Sequence, residues 1–565
     1  MTVVFLHPPS IYDFRKSPSF MGPISDAVPS TQIFEMYPMG FVSMAQFLDK
    51  NGFRTRIVNL ALKMLNNPKF DAEKFIEKLD AEAFCIDLHW VAHVHGALEV
   101  AKICKRFHPD TPVIFGGFTS TYYPEEILSK FPQVDFVLKG DSCEAPLLEL
   151  MRKIDGQKDK VQNLSWRKAK KIKSNPISHV PDSFDELVID PKFLLKSILR
   201  ARDVEGHLPY KSWIDDPIMS VLTSKGCIYN CVNCAGSAEC YRRIYNRKKP
   251  AFMKPDAIIE QMSLNEQYLC GPCFFLNDIR MGGKKYYRDV FEKIRAEKFD
   301  PPVVFELFSP LDKEFAKDLS QTFNRYNLEM SPEDFSETVR KNIGKDYTNR
   351  DVEMSIKNAK EQNCNKFDLF FMIGLGKQTR ETVGQTLEYI DGILGRFNGG
   401  QKFVYPFISP YAPTLDPGCI AFENPKKYGY EVFHKTLAEQ YEAFKMPSWK
   451  YFFNYKTEHL SPDDVIELTY ESGIRLYEIK RKHGLASDAD VEIAKKQVCI
   501  SRDIMRRTEE IVGMGEKEGH AALKSLKSEI DETMKPLMCK DSELNWPRGR
   551  KSLKMYALKC LNKIM

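Results

Sequence analysis

The N-terminal part of the chain alternates short apolar runs with segments whose apolar residues recur at helical spacing. TVVFLH (2–7), FRTRIVNL (53–60), AFCIDLHW (83–90), TPVIFGGF (111–118) and VDFVLKGD (134–141) read as strands. GFVSMAQFLDKNG (40–52), AEKFIEKLD (72–80), GALEVAKICKRFHP (96–109), PEEILSKFP (124–132) and EAPLLELMRKI (144–154) read as helices, with Gly52 and Pro109 as stop signals. Near-continuous apolar strands between amphipathic helices predict a parallel sheet covered on both faces. Ligands in such sheets bind beyond the carboxyl ends of the strands.

A polar stretch follows, including the basic run RKAKKIKSN (167–175), which reads as a solvated face. From PIMSVLTSKG (217–226) a second β/α series begins. CFFLND (273–278), PVVFELF (302–308), NLEMS (327–331), FDLFFMIGLG (367–376) and KFVYPFISP (402–410) read as its further strands. EFAKDLSQTF (314–323), NRDVEMSIKNAKEQN (349–363) and RETVGQTLEYIDGIL (380–394) read as intervening helices. A repeated β/α unit predicts a full or partial barrel. Beyond it the pattern turns helical, in 430–445, 461–484 and 488–513. The expected architecture is α/β: a Rossmann-like parallel sheet over 1–155, a polar connector over 156–215, a partial (β/α) barrel over 216–430 and a helical region over 431–565.

Composition narrows the class. The 565 residues are 43% hydrophobic and 28% charged, with a net charge of +5, which gives no case for a nucleic-acid partner. Most of the 14 cysteines are single and scattered, unlike a secreted disulfide scaffold. The start, MTVVFLHPPS, has no basic region ahead of an apolar run, and no apolar run is long enough to span a bilayer. The expectation is a reduced, cytoplasmic protein.

One stretch departs from the scattered pattern. SKGCIYNCVNC (224–234) holds Cys227, Cys231 and Cys234 on a loop just after a predicted strand. Structural zinc wants four closed ligands, and no histidine follows at finger spacing. Three thiolates suit an iron–sulfur cube with one iron left open for chemistry. This arrangement, at the head of a β/α series, resembles the radical S-adenosylmethionine (radical SAM) superfamily, in which the loop binds a 4Fe–4S cluster and the open iron chelates S-adenosylmethionine. The family's aromatic residue before the last cysteine is replaced here by Asn233, while Tyr229 keeps a ring in the loop. By the same resemblance, Asn277 and Asp278 stand where the methionyl amino group and ribose are held. Glu329 and Ser331 are polar candidates for ribose or carboxylate, and Gly374 and Gly376 let backbone approach the adenine.

The preceding sheet resembles the cobalamin-binding domain of one large radical SAM branch, on PPS (8–10), YPMGFVSMAQFLDKNG (37–52), PVIFGGFTSTYYPEE (112–126) and VDFVLKGDSCEAPLLEL (134–150). The resemblance implies cobalamin contacts from Pro8, Pro9, Ser10, His89, Gly116, Gly117, Thr119, Gly140 and Glu144. Asp87 and His89 imitate the motif that supplies an axial histidine to cobalt, but they follow the third strand rather than the first, and Ala92 replaces its glycine. Cobalamin is therefore expected without that axial ligand. His89 and His93, four apart, share a helix face as metal ligands would, although pocket lining or hydrogen bonding is the favoured reading. CGPC (270–273) copies a redox motif but leads into a strand, and reads as local; Cys240 reads as structural.

The basic C-terminal RGRKSLKMYALKCLNKIM places Leu553, Ala557, Cys560, Leu561 and Ile564 on one helix face, with Lys551, Lys554, Lys559 and Lys563 around it. Such a helix packs on its own domain or lies on an anionic membrane surface as a peripheral contact. The expected function is cleavage of S-adenosylmethionine to a 5′-deoxyadenosyl radical that functionalises an unactivated carbon, with cobalamin-dependent C-methylation as the first reading. The alternatives are non-methylating carbon–carbon bond formation, cyclisation or rearrangement, and a non-catalytic cobalamin or metal sensor. The expected partners are a small-molecule or lipid substrate and a low-potential electron donor such as ferredoxin or flavodoxin.

Overall fold

The computed structural model describes residues 2–16, 19–23, 31–157, 160–169, 171–297, 300–514, 516–533, 543 and 552–564. Its N-terminal sheet has seven strands: β1 (Thr2–His7), β2 (Arg54–Asn59), β3 (Ala83–Asp87), β4 (Val113–Gly116), β5 (Phe136–Leu138), β6 (Leu164–Lys168) and β7 (Lys171–Ser174). Their order is β2-β1-β3-β4-β5-β6-β7, parallel through β5. Alternate residues of β1 enter different cores, Val4 and Leu6 one and Val3 and Phe5 the other, so both faces are covered. Helix α1 (Met39–Lys50) lays Phe41, Ala45 and Leu48 against the Val3/Phe5 face and ends where Gly52 takes a φ of 90°. Helix α2 (Val94–Phe107) covers the other face with Leu98, Ala101 and Cys104.

The polar stretch expected as a connector is partly regular. β6 and β7 form an antiparallel hairpin that extends the sheet from β5. Helix α3 (Pro191–Ala201) follows, capped by the Asp190 side chain and ended by Arg202 at a φ of 51°. The hairpin was illegible because only Ser165 is fully buried in its polar pairs, while Trp166 and Ile172 are partly covered.

The second sheet is opened by β8 (Met219–Leu222). A small ribbon, β9 (Ser224–Lys225) with β10 (Ala251–Phe252), flanks helix α4 (Ala238–Ile244), and helix α5 (Pro255–Tyr268) leads into β11 (Cys273–Leu276). β12 (Val303–Leu307), β13 (Tyr326–Glu333), β14 (Lys366–Ile373) and β15 (Val404–Pro410) complete six parallel strands in sequential order from β8 to β15. This is an open, partial barrel. Helix α6 (Pro462–Lys482), started by a Ser461–Asp464 capping box, packs along β15, and Trp449, Tyr455 and Tyr470 share the barrel's core. Deeper in, fully buried Lys480 pairs with Glu543 at 2.7 Å, and Lys366 with Asp368 at 2.8 Å.

The C-terminal helix α7 (Leu553–Ile564) docks on its own chain with a different face from the one expected. Met555 and Leu558 are buried and Leu561, from the expected face, is partly covered beside them, whereas Leu553, Ala557 and Cys560 point outward. Met555 and Leu558, three apart on one helix row, line a cavity together with Tyr268 and Leu269. Lys551 and the side chains of Lys563 and Ile564 lie outside the described residues. No described helix is long and apolar enough to cross a membrane.

Candidate functional site

The three thiols sit on the loop between β9 and α4, beyond the carboxyl end of β8. The loop is held from several sides: Val232 N–H donates to Ile343 O (3.0 Å), Ala238 N–H to Tyr229 O (2.8 Å) and Glu239 N–H to Asn230 Oδ1 (2.9 Å). Gly344, at a φ of 91°, lets the 230–231 backbone approach so closely that a Cβ there would lie 2.5 Å from Asn230 O. Backbone N–H groups of Tyr229 and Gly236 point at the sulfurs of Cys227 (3.4 Å) and Cys234 (3.3 Å). Burial pushes the Cys227 thiol up to about 11, opposed by the Tyr229 N–H and raised further by Cys231. Burial raises Cys231 too, and the Lys345 ammonium opposes it. Burial raises Cys234 most, and the charges of Cys231 and Cys227 add to it.

Among the described residues no group of three or more His, Cys, Asp or Glu is arranged to hold a single metal ion, so neither mononuclear zinc nor the His89/His93 pair gains support. A four-iron cube meets its thiolates at separate corners and asks for a wider triangle. An all-sulfur donor set on a rigid loop suits it. Cys240 is engaged within the protein, its thiol donating to Gly418 O at 3.2 Å. Cys273 begins β11 fully buried and Cys270 donates to Glu266 O, so CGPC is a strand entry rather than a helix-start redox pair.

The residues expected around S-adenosylmethionine all have neighbours within the protein. Asn277, at a φ of 68°, donates its side-chain amide to Ser224 O (2.9 Å) and its N–H to Glu306 Oε2 (2.8 Å). Asp278 is spent within the protein: its two oxygens take Arg280 and the Phe308 N–H (2.9 Å), and it is 1% exposed. Tyr229 OH reaches Ser309 (3.2 Å). Asn233 donates to Tyr430 OH (2.9 Å) and its carbonyl accepts from Tyr411 OH (2.8 Å), while Asn233 Oδ1 is buried without a partner. Ser331 O accepts from Lys345 Nζ (2.6 Å). The space beside Gly374 is filled by Tyr455 OH, and that beside Gly376 by Tyr428 O, at 2.9 and 2.0 Å from a built Cβ. These glycines therefore admit protein atoms.

Glu329 faces the barrel interior in one register row with Glu306 and Asp368 on the adjacent strands. Glu306, half-buried, was not singled out from sequence, where it reads as one polar residue in an apolar strand. Burial pushes its carboxyl up to about 7 against the pull of the Asn277 N–H. Also missed was Glu333, which sits at a break in strand register with a φ of 71° and pairs with Lys345 at 2.6 Å beside Cys231.

At the carboxyl ends of the first sheet, β1 and β3 are neighbours although α1 and β2 intervene in sequence, which opens a crevice there. Pro8, Pro9 and Ser10 are buried beneath the start of α2, with Gly96 so close that a Cβ would meet Pro9 O at 1.7 Å. Gly117, at a φ of 110°, is pressed on His89, whose carbonyl also accepts from Thr119 N–H (3.1 Å) and Oγ1 (3.0 Å). Gly116 has open space, with only Leu138 O at 3.9 Å from a built Cβ. Gly140 N–H donates to Thr121 Oγ1, and Glu144 accepts from Ser43 at 2.8 Å. The His89 ring stacks on Phe118 at 4.5 Å, and burial pushes it down to about 4, so it is a neutral imidazole. His93 donates Nε2–H to Phe34 O and is likewise pushed down to about 4 by burial.

Ser10 Oγ, Asp87 Oδ2, His93 Nδ1 and Ser120 Oγ are buried on these loops without hydrogen-bond partners. Unspent buried polar atoms of this kind ask for a ligand, and they fit a polar cofactor such as cobalamin at the crevice.

The two sites face each other. Phe118, after β4, packs on Tyr241 and Tyr245 of α4 at 5.9 and 4.7 Å, just beyond the thiol loop. Asp141, after β5, forms a bidentate ion pair with Arg247 across the boundary; their side chains are 3% and 2% exposed. Lys225, just before the thiol loop, lies 3.6 Å from Glu144 and donates to Ser142 (3.2 Å).

Known proteins bear on this arrangement. The B12 binding domain family matches residues 31–147 and the Radical SAM superfamily matches residues 221–390. An uncharacterized methyltransferase of Pyrococcus horikoshii is 26% identical over 325 residues, 56% of this chain and 66% of that protein, so the chain spans just under two thirds of that relative. The anaerobic magnesium-protoporphyrin IX monomethyl ester cyclase of Synechocystis is 26% identical over 135 residues, 20% of this chain and 27% of that one. Among solved structures, the radical S-adenosylmethionine methyltransferase TsrM of Kitasatospora setae, with cobalamin and a [4Fe-4S] cluster bound, aligns at a TM-score of 0.58 and 14% identity, over 91% of this chain and all of that one. The cobalamin-dependent S-adenosylmethionine radical enzyme OxsB, with aqua-cobalamin bound, aligns at 0.55 and 11%, over 100% of this chain and 84% of that one. With both domain families matched, in the order that the sheets and loops display, the chain carries a B12-binding domain ahead of a radical SAM domain, whose cofactors are cobalamin for the first and a 4Fe–4S cluster with S-adenosylmethionine for the second.

Proposed function

We propose that this protein is a cobalamin-dependent radical SAM methyltransferase acting on a carbon of a small-molecule or lipid substrate. The observation that carries the reading is the convergence of the two strand-end sites through Phe118, Tyr241 and the Asp141–Arg247 pair. When bound, the cluster supplies the electron that cleaves S-adenosylmethionine to a carbon radical, and cobalamin supplies the methyl group.

The chain's own residues position and protect. Cys227, Cys231 and Cys234 would hold the cluster, with the Tyr229 and Gly236 N–H groups and Lys345 favouring the thiolates. Glu306, with Oε2 fixed by Asn277, offers its other oxygen to a cationic group at the mouth of the barrel. Phe370 and Phe407, stacked at 4.9 Å on the inner face, exclude water, which a primary carbon radical requires. Ser10 and Ser120 would hold polar edges of the cobalamin. An electron donor of the ferredoxin or flavodoxin type completes the system.

Similarity to the cyclase favours, as a second reading, radical ring formation without methyl transfer. Anaerobic reconstitution followed by turnover with methyl-labelled S-adenosylmethionine separates the two. Label in a product one carbon heavier supports methylation, and 5′-deoxyadenosine with an unlabelled product supports ring formation. Retention of full iron–sulfur absorbance in Cys227→Ala would refute the ligand assignment on which both rest.

A further inference from the structure

An unassigned cavity lies away from the thiol loop. An apolar cavity of about 160 Å³ is walled by Val42 of α1, Leu194 and Ile198 of α3, Met219 of β8, and Met555 and Leu558 of α7. Met219 is the first residue of β8, whereas the thiol loop lies beyond its last, so the cavity and the cluster site are at opposite ends of that strand.

Several polar groups of the wall are spent within the protein. Tyr37 OH donates to His207 O (2.6 Å), Tyr210 OH to Asp216 O (3.2 Å) and Trp213 Nε1–H to Ile218 O (3.2 Å). His207 is spent at both nitrogens, on Asp203 O (2.7 Å) and Ser197 (2.9 Å). An apolar cavity of roughly 150 Å³ accepts a benzene-sized hydrophobe with room to spare, and this one suits an alkyl tail of about six to eight carbons. One cation stands at the rim. Lys554 Nζ lies over the Tyr268 ring at 3.9 Å and gives one hydrogen to Gln267 O, leaving two donors of the ammonium for a ligand. Beside it on α7, Leu553 is 87% and Tyr556 69% exposed, an apolar approach to that rim.

We propose that this cavity binds the tail of a small anionic amphiphile, an alkyl carboxylate of about six to eight carbons, with α7 as one wall and Lys554 as the partner of the carboxylate. The proposal is independent of the reaction at the thiol loop. It also differs from a membrane role for α7, which would have to release Met555 and Leu558 from the cavity.

The test uses the full-length protein, titrated calorimetrically with octanoate, octanol and octylammonium. Octanoate is expected to bind at one site and octylammonium not to bind. Leu194→Trp, which fills the cavity, should weaken octanoate at least tenfold with circular dichroism unchanged; Met555→Trp from the opposite wall serves the same purpose should Leu194→Trp fold poorly. Lys554→Gln should weaken octanoate several-fold and leave octanol unchanged. Absence of saturable octanoate binding, or equal binding by a folded cavity-filled variant, would overturn the proposal.

Discussion

Breaking the Asp141–Arg247 pair should loosen the junction between the two cofactor domains. Both side chains are almost fully buried, and the guanidinium engages both carboxylate oxygens, one at 3.2 Å, and Pro181 O at 3.0 Å. Removing one member leaves the other charge out of water with no counter-ion, which costs about 3–5 kcal/mol. That is roughly a hundred- to several-thousand-fold more frequent opening of the contact. Native-state hydrogen exchange suits a multidomain chain, because it reads local opening where a single unfolding free energy is ill defined. Arg247→Met and Asp141→Asn should each speed exchange by that factor in residues 139–144 and 247–252, with little change in the β13–β14 core. The double variant Asp141→Leu/Arg247→Met removes both charges, and should exchange more slowly than either single variant. A rise under tenfold in the single variants, with a coupling below about 1 kcal/mol, would show that the pair behaves like a solvated one and would refute the reasoning.

Gly117→Ala should destabilise the first domain by at least about 1–3 kcal/mol, since a side chain at a φ of 110° is strained and its Cβ would lie 2.6 Å from His89 Cα; a lower urea midpoint and lost cobalamin retention would show it. Burial holds His207 down at about 4, so its neutral form contributes stability above the unfolded value near 6.5 that is lost as pH falls through 4, about 3 kcal/mol in all. His207→Gln should flatten that part of the acid limb in denaturation curves measured from pH 7 to 4. Glu306→Gln should leave iron content unchanged and weaken S-adenosylmethionine retention about tenfold in equilibrium dialysis, the loss expected when a charge-assisted hydrogen bond to an ammonium becomes a neutral one.

The sequence by itself determined the two β/α series, their strand order along the chain and the three-thiol loop. Each is a local signal: apolar runs of strand length, amphipathic spacing between them, and three cysteines within eight residues. It could not show that residues 164–174 extend the sheet, because that hairpin's burial comes from pairing with β5 rather than from its own composition. It also nominated Asp278, Gly374 and Gly376 by position along the chain, and only tertiary packing set Arg280, Tyr455 and Tyr428 against them. Glu306, Glu333 and Lys345 gained their places only when separate strands and loops came together around the thiols. The meeting of the two sites, through Phe118 with Tyr241 and Asp141 with Arg247, joins residues more than a hundred positions apart. Such contacts follow from how the sheets pack, which no local pattern encodes.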